Sequence, residues 1–209
     1  MRLLELFSGT GSVGRGFRDQ GWEVLSLDVD PRSRADVLSN IMEWDYKQFE
    51  PGHFDCVWAS PPCTEYSVAR TTAKLPRNLW LADNLVQRAL DIVAYLKPKV
   101  WWLENPHSGL LKTRPMMAGL PMQIVDYCMH GSPYRKRTAL WGNAEASFKL
   151  CDKKCSAFVD GKHSMTAQRR TSEGGHAFTL DELHALPGAL VEEVERVTRS
   201  LVGPGPHRT

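Results

Sequence analysis

The stretch Leu3-Leu4-Glu5-Leu6-Phe7-Ser8-Gly9-Thr10-Gly11-Ser12 joins an apolar strand to a glycine-rich turn. A third glycine, Gly14, follows inside a helix predicted from Ser12 to Asp19. A turn with so little side-chain bulk lets the backbone approach a ligand at the N-terminal end of a helix. The stretch therefore predicts the first βα unit of an α/β sheet and a cofactor site at its turn.

Strand-like and helix-like segments alternate after this unit, which is typical of an α/β sheet with crossover helices. Apolar residues at helical spacing predict a helix from Leu79 to Leu96, which Pro98 would end. Thr179 and Glu182 form a capping-box pattern, and Pro187 opens a second helical stretch. Further strands are predicted at residues 23–27, 36–38, 54–59, 100–103, 122–128 and 138–141.

The composition is that of an ordinary globular protein, with 42% hydrophobic and 24% charged residues among 209. This length predicts one well-buried domain with a small appendage, and we expect a monomer. There is no apolar run of about 18 residues, and a strand from Leu3 leaves no room for a signal peptide. Five cysteines, an odd count at low density, favour a reducing compartment. We expect a cytoplasmic protein with no membrane contact, or a nuclear one in a nucleated source; a phage or viral protein would act in the host cytoplasm.

Positive charge is concentrated in one part of the chain. Between Lys112 and Arg170 there are 11 Lys and Arg against 4 Asp and Glu, a net of 11 − 4 = +7, so the remainder carries 2 − 7 = −5. A basic region beside an acidic one indicates a nucleic-acid partner, although an unevenly charged solvated surface gives the same pattern.

Residues 59–67 read Ala-Ser-Pro-Pro-Cys-Thr-Glu-Tyr-Ser and follow a predicted strand. The two prolines remove backbone donors and fix φ, so they predict a stiff turn that presents Cys63 outward. A buried structural thiol is the less favoured alternative, because prolines cannot continue a paired strand. Glu104 follows the strand at 100–103, so both side chains should emerge at the carboxyl edge of one sheet.

A thiol, a carboxyl group and a cationic side chain suit the methylation of a pyrimidine ring. Addition of a thiolate to carbon 6 makes carbon 5 electron-rich, and Cys63 is the candidate nucleophile. Glu104 is the candidate donor to the ring nitrogen. The carbonyl oxygen needs a cationic donor, for which Arg135 and Arg137 are the candidates, with Arg137 favoured.

Two acidic residues, Asp28 and Asp30, follow the second predicted strand, where a carboxylate can accept a hydrogen bond from a ribose hydroxyl. This feature together with the glycine turn describes a dinucleotide-binding fold equally well. Cys63 and Glu104 decide between the two, because hydride transfer needs neither of them.

These motifs together resemble those of the DNA (cytosine-5) methyltransferases, specifically a short phage or prokaryotic form. The resemblance covers residues 1–142 and 179–201. It implies a Rossmann-like class I fold with a mostly parallel seven-stranded sheet and helices on both faces. It also implies S-adenosylmethionine as cofactor, and transfer of its methyl group to carbon 5 of cytosine in DNA, with the base flipped out of a duplex.

The resemblance also implies roles for individual residues. The Cys63 turn and the Glu104-Asn105 pair match the catalytic motifs of the family. The residues that it assigns to the cofactor are Phe7, Ser8, Gly9, Thr10, Gly11, Ser12, Asp28, Asn40, Ile41 and Pro61.

The chain departs from the family pattern in three places. Pro133-Tyr134-Arg135-Lys136-Arg137 lacks the usual Gln, and the terminal Gly-Asn-x-Val-Pro motif is replaced by Leu186-Pro187-Gly188-Ala189-Leu190. Only residues 143–178 occupy the place of the target-recognition domain. We therefore predict a cofactor-binding catalytic domain at 1–142, a small irregular region at 143–178 and helices that pack back on the catalytic domain at 179–202.

Cys151, Cys155 and His163 fall in this irregular region, which has few apolar residues to order it. With Cys128, or else His130 or His176, they could hold a structural zinc ion. The alternative is a loop with two solvent-accessible thiols.

The reduced recognition region leaves other substrates open. RNA, a single strand or a free nucleotide could take the place of duplex DNA, and the cofactor could be a modified form. A protein that binds cofactor and nucleic acid without turnover is a further alternative, against which the intact Cys63 and Glu104 argue. The biological role, including restriction-modification, is not indicated by the sequence.

Overall fold

The computed structural model describes residues 1–163, 165 and 178–203. A seven-stranded sheet forms its centre. In chain order the sheet strands are β1 Arg2–Leu6, β2 Glu23–Asp28, β3 Val37–Leu38, β4 Cys56–Ala59, β5 Val100–Pro106, β6 Met122–Asp126 and β7 Arg137–Gly142. The helices are α1 Ser12–Asp19, α2 Leu79–Leu96, α3 Leu180–His184 and α4 Gly188–Val202.

The strands lie in the order β3-β2-β1-β4-β5-β7-β6. The first five pair in parallel, whereas β7 is antiparallel to both β5 and β6. The chain order reverses between β1 and β4, and in parallel sheets such a reversal opens a crevice at the carboxyl ends of the strands. The predicted mostly parallel seven-stranded sheet and the predicted closing strand pair are confirmed.

Helices cover both faces of the sheet, as predicted. Helix α2 buries Val86, Ile92 and Leu96 in the core on one face, and α1 and α4 belong to the core on the other. Gly16 of α1 lies so close to α4 that an added Cβ would come 2.5 Å from Val191 Cγ1. The backbone of α1 at Gly16 therefore packs directly against the Val191 side chain of α4.

The region after β7 contains a short antiparallel pair, β8 Phe158–Val159 with β9 Lys162–His163. Much of the rest of predicted region 143–178 lies outside the described residues. Thr179 and Glu182 form the predicted capping box at the start of α3, and α4 begins directly after Pro187, also as predicted. Among the described residues, no helix combines the length and the hydropathy needed to span a bilayer.

Candidate active site

Cys63 and Glu104 line the same cavity, of about 350 Å³, at the carboxyl edge of the sheet. Cys63 follows β4 and Glu104 lies in β5, and these strands pair in parallel with Ala59 opposite Leu103. Because the two residues leave adjacent strands at one edge, the fold brings them together as the sequence predicted.

The turn that carries Cys63 is held by several hydrogen bonds. The carbonyl of Cys63 accepts from the backbone N–H groups of Tyr66 and Ser67 at 3.0 and 2.9 Å. The side-chain amide of Asn105 donates to the Pro61 carbonyl at 2.9 Å. The thiol is thus presented by a fixed backbone rather than by a free loop.

Glu104 is 7% exposed, and burial raises the pKa of its carboxyl group. The hydroxyl of Tyr127 donates to Glu104 Oε1 at 3.4 Å. The positive charge of Lys136 and this hydrogen bond oppose the effect of burial on the pKa of Glu104. A carboxyl group with a raised pKa is suited to carry a proton at neutral pH.

Lys136 supplies the cation at this site. It lines the cavity, its Nζ lies 4.7 Å from the centroid of the Tyr127 ring, and it donates to the Leu183 carbonyl at 3.1 Å. Burial and the nearby Glu104 raise the pKa of the Cys63 thiol, and Lys136 lowers it. Lys136 therefore acts electrostatically on both candidate catalytic groups.

Neither Arg135 nor Arg137 lines this cavity, contrary to the placement expected from the sequence. The guanidinium of Arg137 pairs with the buried carboxylate of Asp126 at 2.7 Å, and Arg135 is exposed. Consecutive side chains of an extended segment point to opposite sides, so Lys136 faces the cavity and its two neighbours face away. Lys136 was not predicted from the sequence, because the expected donor was an arginine.

The glycine-rich turn borders the same cavity. Phe7 has a left-handed φ of 58°, which is strained for a residue with a Cβ, and Gly9 and Gly11 have φ of 50° and 66°. Asp28 fixes the turn, because its carboxylate accepts from the N–H groups of Gly9 and Asp30, each at 2.8 Å. The predicted cofactor residues that line the cavity are Phe7, Ser8, Gly9, Thr10, Ser12, Asp28 and Pro61, while Gly11 lines an adjoining cavity.

Glu5 is a residue of this site that the sequence analysis missed. It lines the cavity although it is only 2% exposed, and burial raises its pKa to about 7. Its Oε1 accepts from the Gly14 N–H at 3.0 Å, and a Cβ at Gly14 would collide with its Oε2. The sequence does contain an indication of this role, because Glu5 is a charged residue among the otherwise apolar residues 3–7.

Two buried polar atoms beside the turn, Glu5 Oε2 and Ser8 Oγ, have no hydrogen-bond partner among the described residues. Unpaired polar groups are costly to bury, so such atoms at a cavity wall indicate a polar ligand. Together with the open backbone of the glycine turn, they fit a cofactor with hydroxyl and amino groups.

Asn40 and Ile41 do not line the cavity, although both were expected to contact the cofactor. Asn40 caps a local turn by accepting from the Met42 N–H at 3.1 Å. Ile41 is 4% exposed, and its carbonyl accepts from Arg88 of α2 at 3.0 Å. After the two-residue strand β3 the chain leaves the sheet edge and enters the core beside α2. The cavity is lined by the exposed apolar side chain of Val29 and not by that of Ile41.

The C-terminal segment also contributes to the cavity. His184 and Leu186 line it, and the Leu186 N–H donates to the hydroxyl of Ser12 at 3.1 Å. The start of α1 is thereby tied to a residue near the end of the chain. The sequence gives one indication of this contribution, since Leu186-Pro187 stands where the family has its terminal motif.

The predicted metal ligands come together away from this cavity. One ligand atom each from Cys128, Cys151, Cys155 and His163 lies within 4.8 Å of every other. His130, an alternative fourth ligand, instead pairs with Glu193 at 3.0 Å. His176, the other alternative, lies outside the described residues.

Residues 1–115 match the model of a family described as C-5 cytosine-specific DNA methylase. The chain is also similar to a viral protein, "Probable DNA (cytosine-5)-methyltransferase" of Frog virus 3 (isolate Goorha). The two are 36% identical over 188 residues, which are 84% of this chain and 82% of the relative.

Two longer proteins share part of their length with this chain. The type II methyltransferase M.AgeI of Thalassovita gelatinovora is 26% identical over 78% of this chain and 44% of its own length. The solved structure of the methyltransferase EhMeth of Entamoeba histolytica superposes with a TM-score of 0.52 at 18% identity, covering 75% of this chain and 57% of its own. The chain thus spans most of the viral relative but about half of these two proteins.

Proposed function

Because the chain belongs to the C-5 cytosine-specific DNA methylase family, we propose that it transfers a methyl group from S-adenosylmethionine to carbon 5 of cytosine in DNA through a covalent adduct of Cys63. The observation that carries the assignment of residues is the single cavity in which Cys63, Glu104 and the glycine turn meet. A nucleophile, a proton donor and a cofactor turn at one sheet edge are what this reaction requires.

Cys63 is the proposed nucleophile. Its sulfur forms a bond to carbon 6 of the cytosine, which moves electron density onto carbon 5. Once carbon 5 has been methylated and has lost its proton, the carbon–sulfur bond breaks and the thiolate of Cys63 leaves. The raised pKa of Cys63 means that the thiol is protonated at rest, so the charge of Lys136 has to favour the thiolate in the reacting complex.

Glu104 is the proposed donor to ring nitrogen 3 as negative charge develops on the ring. Its burial favours the protonated carboxyl group, which can give that proton and take it back at the end of the cycle. Lys136 lines the same cavity as Glu104, and we assign to it the stabilisation of the ring carbonyl oxygen that Arg135 or Arg137 was predicted to provide.

The cofactor would be held by the glycine turn, Asp28 and Glu5. When bound, S-adenosylmethionine supplies the methyl group as an electrophile on its sulfonium sulfur. Asp28, which lines the cavity, would accept from ribose hydroxyls, and Glu5 and Ser8 would offer the unpaired atoms described above. The remaining cofactor prediction, a zinc ion, concerns a separate cluster of side chains that does not line this cavity.

The DNA would approach the carboxyl edge of the sheet with the target cytosine flipped out of the stack. The loop after Cys63 is the proposed covering element. Within it Arg70 pairs with Glu65 at 2.9 Å, whereas Lys74 and Leu75 are exposed, with Leu75 73% accessible. A loop with exposed cationic and apolar side chains can contact both phosphate and the gap left by a flipped base.

The test uses labelled S-adenosylmethionine with duplex DNA, single-stranded DNA, RNA and dCMP in parallel. We expect label in DNA, recovered as 5-methylcytosine, and none with Cys63→Ala, which should still bind the cofactor. A denaturant-stable complex with DNA that contains 5-fluorocytosine should form with the wild type and be absent with Cys63→Ala. Turnover by Cys63→Ala would refute the nucleophile, and label only in RNA or dCMP would refute DNA as substrate.

A further inference from the structure

We infer that Cys128, Cys151, Cys155 and His163 hold a structural zinc ion that fastens the segment after β7 to the active-site side of the sheet. Cys128 follows β6, Cys151 and Cys155 lie in the segment after β7, and His163 ends β9. The four residues thus come from three separate parts of the fold. Three thiolates and an imidazole form a common structural zinc set.

The distances between the ligand atoms fit a tetrahedral ion. Zinc–sulfur bonds of about 2.3 Å and zinc–nitrogen bonds of about 2.0–2.1 Å at tetrahedral angles place two sulfurs about 3.8 Å apart and a sulfur and a nitrogen about 3.6 Å apart. Cys151 Sγ and Cys155 Sγ are 3.7 Å apart. His163 Nε2 lies 3.7 Å from Cys128 Sγ, 3.2 Å from Cys151 Sγ and 3.5 Å from Cys155 Sγ.

The surroundings favour an ion over free thiols. Cys128 and Cys155 are buried in a small cluster with Ala157, Met129 and Phe158, and none of the cysteines is in a disulfide. Such a cluster is too small to order a segment of chain by apolar burial alone. A tetrahedral ion would supply the missing stabilisation, because it joins sites far apart in the sequence.

The cluster is connected to the strands that shape the active site. The Cys151 N–H donates to Asp126 Oδ2 at 2.9 Å, and Asp126 also pairs with Arg137 at the start of β7. Cys128 directly follows Tyr127, whose N–H donates to the Lys136 carbonyl at 3.0 Å. A zinc ion at this position would therefore help to hold the Lys136 carbonyl and the Arg137 side chain in place.

The inference is tested by metal analysis of the full-length protein purified without chelator. We expect stoichiometric zinc, and replacement of that zinc by Co²⁺ should give the visible absorption of a tetrahedral thiolate site. Cys151→Ser should lose most of the metal, whereas Cys63→Ala, a cysteine variant outside the cluster, should keep it. Cys151→His, which retains a ligand, should bind zinc more weakly than the wild type and more tightly than Cys151→Ser.

Chelation provides a second measurement should Cys151→Ser fail to fold. In the wild type, we expect Cys128, Cys151 and Cys155 to resist alkylation until a chelator removes the metal. A folded protein with little zinc would overturn the inference. So would a disulfide between Cys151 and Cys155 in mass spectra, or equal loss of zinc from Cys63→Ala. Since Cys63→Ala abolishes transfer in the proposed mechanism without touching the cluster, the two hypotheses fail independently.

Discussion

The side-chain amide of Asn105 donates a hydrogen bond of 2.9 Å to the main-chain carbonyl of Pro61. This bond joins the two halves of the active site, since Asn105 follows Glu104 on β5 and Pro61 precedes Cys63 after β4. Asn105 is 1% exposed, so the bond is fully removed from water. It therefore holds the backbone before Cys63, the proposed nucleophile, against the strand that carries Glu104, the proposed proton donor.

Asn105→Ala should therefore lower the rate of methyl transfer more than it lowers cofactor affinity. Leaving the Pro61 carbonyl unpaired should cost about 1–3 kcal/mol in the free energy of unfolding. A misplaced Cys63 turn should reduce kcat roughly 10- to 100-fold. Denaturant unfolding and single-turnover assays measure the two effects.

Asn143→Ala is the matched control for this variant. Asn143 makes two side-chain hydrogen bonds to the backbone near β5, accepting from the Trp101 N–H and donating to the Lys99 carbonyl, both at 2.9 Å, but it does not line the cavity. Asn143→Ala should lower the free energy of unfolding and leave kcat unchanged. Equal loss of kcat in both variants would show that Asn105 acts through stability alone.

Lys136→Met should lower kcat by about 100-fold, the size expected for one lost charge-stabilising donor. Because Lys136 lowers the pKa of both Cys63 and Glu104, its removal should move both pKa values upward. The pH at which kcat/KM rises with thiolate formation should then be higher than in the wild type. Lys136→Arg should restore part of the rate, and exposed Lys154→Met should change nothing; an unshifted pH profile in Lys136→Met would contradict the assignment.

Glu5 should make stability depend on pH in a particular direction. Its folded-state pKa of about 7 lies above the ordinary value of 4.5, so the folded chain binds the proton more tightly than the unfolded chain. The resulting contribution to stability is fully present below pH 4.5 and is lost as pH rises through 7. A difference of 2.5 pKa units corresponds to about 3 kcal/mol.

Glu5→Gln should remove this dependence, because the amide keeps an acceptor for the Gly14 N–H and does not titrate. Urea unfolding at several pH values should show the variant gaining about 3 kcal/mol on the wild type between pH 4.5 and 8. Exposed Glu23→Gln is the control. Parallel curves for Glu5→Gln and the wild type would mean that folding leaves the pKa of Glu5 unchanged.

Gly16→Ala should separate α1 from α4, since the new methyl group meets Val191 Cγ1. The expected cost is about 1–3 kcal/mol in the free energy of unfolding, with weaker cofactor binding at the turn that opens α1. Val191→Ala in the same chain should relieve the clash, which a double-mutant cycle would register as favourable coupling. Gly188→Ala, at a position with open space, is the control; loss of stability there equal to that of Gly16→Ala would argue against the clash.

Features that depend on local sequence were predictable. The strand before Cys63, the strand before Glu104 and the parallel-sheet rule together placed both residues at one edge. The capping box at Thr179 also needed only neighbouring residues.

Features that depend on distant parts of the chain could not be predicted from the sequence. Cys128 was named first for the fourth ligand, with His130 and His176 as alternatives, and the structure agrees with that choice. Residue spacing alone does not show that His130 pairs with Glu193 instead. Asn40 and Ile41 were expected to contact the cofactor because of the family resemblance. However, β3 has two residues, and after it the chain enters the core beside α2 and does not line the cavity. Lys136 was not predicted because an arginine was expected in its role, and the direction of its side chain is set by the extended segment just before β7, which residue spacing does not encode.

The packing of α4 on α1 has a consequence for synthesis of the protein. The turn that would hold the cofactor is synthesised well before Leu186, which borders its cavity, and before Val191, which covers α1. The nascent sheet therefore has an uncovered α1 until α4 has emerged from the ribosome. Products of premature termination before α4 would lack this cover, so they should fail to form the cofactor site and be targets of quality-control proteolysis rather than partly active enzymes.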